Sequence, residues 1–95
     1  MSRKKHWEEL FSVTQLEVLI VEPRTDSSVV EALEALRQRK VVVVKLEYLT
    51  PQKQQRVADW LAGCACAIDG QTRWLEQHTL LCTPPGVDVI AKRPP

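Results

Sequence analysis

Ninety-five residues with 44% hydrophobic and 26% charged side chains make one small domain, and a formal net charge of +1 gives no field strong enough to hold nucleic acid. No apolar run approaches the roughly 18 residues needed to span a bilayer, and the N-terminus lacks the apolar centre of a signal peptide. Three cysteines without a secretion signal fit a reducing cytoplasm.

Residues 1–15 have no clear period and form an N-terminal segment, expected to be flexible. Within it Trp7, Leu10 and Phe11 follow i, i+3, i+4 spacing behind Arg3, Lys4 and Lys5. That is the pattern of a short membrane-surface helix, although Glu8 and Glu9 oppose anionic lipid and so short a helix is marginal alone. "EVLIVEP" (Glu17–Pro23) is an apolar run closed by proline, which predicts a first strand. "TDSSVVEALEALRQRK" predicts a helix, with Ser28 and Glu31 as a capping box and Val29, Ala32, Leu33 and Leu36 on its apolar face. "VVVVKL" (Val41–Leu46) predicts a strand covered on both faces. In "LTPQKQQRVADWLAG" Thr50 is the expected N-cap and Pro51 the first helical residue. Val57, Trp60, Leu61 and Cys64 give this helix an apolar face, and Gly63 is placed to end it.

Beyond Gly63 the period changes. "CACAI", "TRWLE" and "TLLCT" predict three short strands, with Asp69-Gly70 as a hairpin turn in which Gly70 takes positive φ. The order is βαβαβββ: an α/β two-layer sandwich, with an approximately five-stranded mixed sheet and two helices on one face. The first two strands should be parallel through a right-handed crossover. The core spans residues 16–90, and 91–95 form a disordered tail. Trp74 and Leu75 lie on opposite faces of their strand, as do Leu80 and Leu81 on the partner. One face meets the helices, and the other is expected to be buried by a second copy.

Chemistry is sparsely encoded. Cys64 and Cys66 would share a face if they lay in a strand, and could form one edge of a metal site with Cys82, His78 or His6. Burial as small hydrophobes is the better reading, and no metal or other cofactor is expected. On one strand, His78 and Cys82 would stand ~13 Å apart, too far for a nucleophile and its base. No catalytic motif or phosphate-binding glycine loop is present, so the chain is expected not to be an enzyme.

The ordered series Val41–Val44, Leu61-Ala62-Gly63, Ala67-Ile68-Asp69-Gly70, Thr83-Pro84 and Val87-Asp88, with "EPRT" (Glu22–Thr25) after the first strand, resembles the core domain of the cell-division protein family SepF over roughly residues 17–89. The resemblance implies a cytoplasmic protein acting at the division septum, which dimerises or polymerises and binds the C-terminal tail of the tubulin-like protein FtsZ. It also implies self-association near the end of the second helix, at Gly63, Cys64, Trp60 and Leu61. A bulky residue at Gly63 would then block assembly. Trp74, Leu75 and Leu80 are the expected contacts for the tail. The family's membrane helix and long acidic linker have no counterpart in the fifteen residues before the first strand, and Cys66 stands where the family tends to carry an aromatic. Two alternatives remain open: a soluble regulatory homologue that keeps fold and dimer without membrane anchoring, and a small metal-binding module built on Cys64 and Cys66.

Overall fold

The computed structural model describes residues 16–92. These form β1 (Val18–Val21), α1 (Asp26–Arg37), β2 (Val41–Lys45), α2 (Pro51–Ala67), β3 (Gln71–Glu76) and β4 (Thr79–Thr83). The sheet order is β1-β2-β4-β3. β1 and β2 are parallel, and β4 runs antiparallel to both β2 and β3. Residues Trp7, Leu10, Phe11 and His6 lie outside the described residues.

The helices form one layer. α1 lies over β1 and β2, and α2 over β4 and β3. The core is their shared interior: Val42 and Val44 from β2, Leu80 and Cys82 from β4, Val29, Ala32 and Leu36 from α1, and Val57, Leu61 and Ala65 from α2. Leu33 packs at the margin. Thr50 caps α2, its Oγ1 accepting from the Lys53 N–H at 3.3 Å, and Pro51 follows at the first turn, where no N–H is needed.

Three local expectations are corrected. α1 starts at Asp26 with Thr25 at its N-cap, so Ser28 and Glu31 sit inside the helix and form no capping box. α2 does not end at Gly63 but continues through "CACA" to Ala67, so the described residues carry four strands rather than five. Alanine is the best helix former, and no β-branched residue interrupts the run before Ile68. The buried stripe of α2 is accordingly Val57, Ala58, Leu61 and Ala65, which leaves Trp60 47% exposed.

Asp69-Gly70 is not a hairpin turn. It closes α2, with the Gly70 N–H donating to the Ala65 carbonyl at 2.7 Å, and it is Asp69 that takes the left-handed conformation, at φ 59°. Gly70 is needed for closeness instead: a Cβ there would lie 2.2 Å from the Thr83 carbonyl oxygen. The β3–β4 hairpin turns at Gln77-His78, and His78 is tied to the start of α2 by a 3.0 Å contact between its Nδ1 and Gln54 Oε1.

Candidate functional site

The register assigns each sheet residue to a face. Leu19, Val42, Cys82 and Thr72 form one cross-strand row, and Val21, Val44, Leu80 and Trp74 the next. Both rows point toward the helices, because Val42, Val44, Leu80 and Cys82 are all in the core. The intervening row, Ile20, Val43, Leu81 and Arg73, therefore belongs to the opposite face. There Ile20 is 62% exposed, Val18 is also exposed, and Val43 and Leu81 are half-buried. The expectation that every residue of "VVVV" is covered holds for Val41, Val42 and Val44 but not for Val43.

This open face is a continuous apolar strip bounded by charge. Lys45 and Glu22 pair at 3.8 Å on its rim. At the other edge the Arg73 guanidinium donates to the Val89 carbonyl at 3.4 Å, holding the C-terminal segment beside β3. A contiguous apolar surface with a polar rim is the form of a protein–protein contact.

The hairpin supplies a second surface. Trp74 lies on the helix side of the sheet but at its outermost strand, and remains 47% exposed. Leu75, also exposed, occupies the irregularity between Trp74 and Glu76, where the β3–β4 register shifts. Leu80 is corrected: it is buried beneath the helices and does not line an accessible tail-binding surface. Leu61 is likewise corrected from interface residue to core residue, being wholly buried on the inner side of α2. Trp60 and Gly63 lie exposed on α2, and Cys64 is half-buried at the edge of the core.

The cysteines do not form the edge proposed for a strand. Two residues apart on a helix they diverge by about 200°, and Cys64 packs toward the core while Cys66 is exposed. Among the described residues, no three His, Cys, Asp or Glu side chains come together as a metal site. Burial, with a smaller contribution from Cys64, pushes the Cys82 thiol from 9.0 up to about 12. Cys82 thus stays neutral in the fold where an unfolded thiol would begin to ionise. Its stabilisation is full below about pH 9 and is lost as pH rises toward 12. A thiol reagent at pH 8 should label Cys66 first and reach Cys82 only on unfolding, and urea midpoints should fall through that alkaline window. Rapid labelling of native Cys82 would show that its burial is wrong.

No sequence pattern marks the groove that lies where α1 and α2 begin. Thr25, Asp26 and Val29 form one wall, and Lys53, Val57 and Trp60 the other, with Leu49 and Arg56 completing a space of about 60 Å³. The loops at this end of the sheet are braced by Arg24, whose guanidinium carbon lies 4.0 Å from the centre of the Tyr48 ring.

Comparison with known proteins accords with this architecture. The family described as Cell division protein SepF matches residues 18–89. The chain is 41% identical over 73 residues to Cell division protein SepF of Trichormus variabilis, covering 77% of this chain and 37% of that protein. It is 38% identical over 72 residues to the protein of the same name from Halalkalibacterium halodurans, covering 76% and 48%. The chain therefore spans less than half the length of these curated relatives. Among solved structures, a SepF-like protein from Pyrococcus furiosus superposes with a TM-score of 0.72 at 18% identity, covering 82% of this chain and 98% of that one. Cell division protein SepF from Methanobrevibacter smithii, solved in complex with FtsZ-CTD, superposes with a TM-score of 0.68 at 15% identity, covering 80% and 99%. At such identities the structures speak for the fold alone, whereas the match over residues 18–89 and the relatives near 40% identity speak for descent: this chain belongs to the SepF family of cell-division proteins.

Proposed function

We propose that this protein acts by assembly rather than catalysis: it pairs with a second copy through the open face of its sheet and binds the C-terminal tail of FtsZ at the division septum. The observation that carries the reading is the apolar strip of Val18, Ile20, Val43 and Leu81, a surface left uncovered by the helices on a domain too small to bury it. Membership of the family supplies the role, and the shared fold of the Methanobrevibacter smithii protein, solved with FtsZ-CTD, supports the partner. Trp74 and Leu75 at the hairpin are the tail contacts that remain accessible.

The test is a titration of the FtsZ C-terminal peptide from the matching organism, followed by tryptophan fluorescence. Saturable binding is expected, and Trp74→Ala should weaken it about tenfold or more, as for a hot-spot tryptophan. A half-exposed residue at an edge strand can be truncated without emptying the core, so the variant should stay folded. A folded, self-associating protein that ignores the peptide would leave the fold without this partner.

Further association, beyond the pair, is assigned to the exposed side of α2 around Gly63 and Trp60, with Cys64 at its half-buried margin. A Cβ built on Gly63 meets nothing within 4 Å, so Gly63→Lys has room within the chain. Sedimentation should show assemblies larger than a dimer lost in this variant while its thermal unfolding remains cooperative. Unchanged assembly would remove α2 from the contact.

A further inference from the structure

The groove between the starts of α1 and α2 is separate from both the open sheet face and the hairpin, and shares only Trp60 with the α2 surface assigned to further association. We propose that it is a second docking site, and that its occupant is a short acidic segment of a partner protein, anchored by one apolar side chain. Size makes the first part of the case. A space of about 60 Å³ is far below the ~300–1,000 Å³ of a small-molecule or cofactor site, yet suits a single aliphatic side chain against Val29, Leu49 and Val57. Trp60 forms the outer wall and keeps 47% of its surface open, as a binding anchor does before its partner arrives.

Charge makes the second part. Lys53 and Arg56 stand on the α2 side, and among the described residues neither has a carboxylate within ion-pair distance. Asp59, the next acid along α2, is occupied by Gln55, whose Nε2 donates to its Oδ1 at 2.9 Å. Asp26 is the acid on the opposite wall. The groove thus has a cationic side without an ion-pair partner among the described residues and an acidic side across from it, which favours and orients a ligand with a carboxylate next to its apolar anchor. A flat lipid surface does not fit so narrow a concavity.

The experiment uses the full chain with Trp7→Phe and Trp74→Phe, so that Trp60 alone reports and the hairpin site has lost its tryptophan. The probes are a blocked Glu/Asp peptide with a central leucine, its Gln/Asn counterpart, and vesicles with and without anionic lipid. A saturable Trp60 shift with the acidic peptide is expected, weakened at least about tenfold by Arg56→Glu or Lys53→Glu and by raised salt. Both positions are exposed, and Arg56→Gln and Lys53→Gln, checked by circular dichroism, repeat the test should charge reversal disturb folding. No saturable shift, an equal response to the uncharged peptide, or a response only to anionic vesicles overturns the proposal. So does a Trp60 shift that follows protein concentration and is no larger when peptide is present, which would assign Trp60 to the α2 association surface alone.

Discussion

Replacing Gly70 by alanine should be among the most damaging single-methyl changes available in this protein. The added Cβ would stand 2.2 Å from the Thr83 carbonyl oxygen and 3.2 Å from its carbon, and both belong to the backbone of a strand next to the centre of the sheet. A flexible side chain could swing aside, but a paired strand cannot. Relief requires the end of α2 to lift away from β4, over Leu80 and Cys82. A loss of about 2–4 kcal/mol is expected, a large share of what holds so small a domain together. Gly63→Ala is the internal control. That glycine lies within α2 facing open space, where alanine should gain about 0.5–1 kcal/mol through helix propensity. Urea unfolding of the two variants should therefore move in opposite directions. If Gly70→Ala unfolds like the parent chain, the close approach of α2 to β4 is wrong.

Ile20→Lys should separate association from folding. Ile20 is 62% exposed and contributes little to the chain's own core, so a change in stability within about 0.5 kcal/mol is expected. In a pair of sheets packed face to face, the lysine would be buried among Val18, Val43 and Leu81, and the acid on the rim of that face, Glu22, is already paired with Lys45. Such a charge costs several kcal/mol, and two-fold symmetry places one on each side of the contact. Dimer dissociation should rise at least about a hundredfold, read by sedimentation velocity over a concentration series. A dimer of unchanged strength would mean that the open sheet face is not the contact, and would direct attention to α2.

Periodicity carried most of the architecture. Val29, Ala32 and Leu36 repeat at helical spacing, "VVVV" has no helical alternative of suitable length, and Thr50-Pro51 marks a helix start by two independent effects. "GCACA" is ambiguous because small residues have no strong period, and because a glycine can end a helix or lie within one. Asp-Gly is equally at home in a hairpin and at a helix end, and only the position of Thr83 decides what Gly70 must do. The faces of the hairpin were open for a related reason. The shift at Leu75 breaks the alternation, so whether Leu80 or Leu81 turns inward depends on pairing with β2, which lies far away in sequence. The groove at Lys53, Arg56 and Trp60 exists only through the approach of two helices, and no pattern within either announces it. Family resemblance supplied the proposed role, which none of these patterns could.

The strand order has a consequence for how the chain reaches its fold. β2 and β4 are central, yet β4 is the last of the described strands to be made. The leading βαβ unit therefore leaves the ribosome with Val42 and Val44 lacking Leu80, Cys82 and the cover of α2. It cannot settle until the hairpin inserts beside it. Folding of this unit must wait until β4 has been made, and pairing across this sequence gap makes the decisive step a slow, long-range one. Until then the exposed edge of β2 is free to pair with another unfinished copy, a hazard that ends only when β4 takes that edge and makes β2 an interior strand.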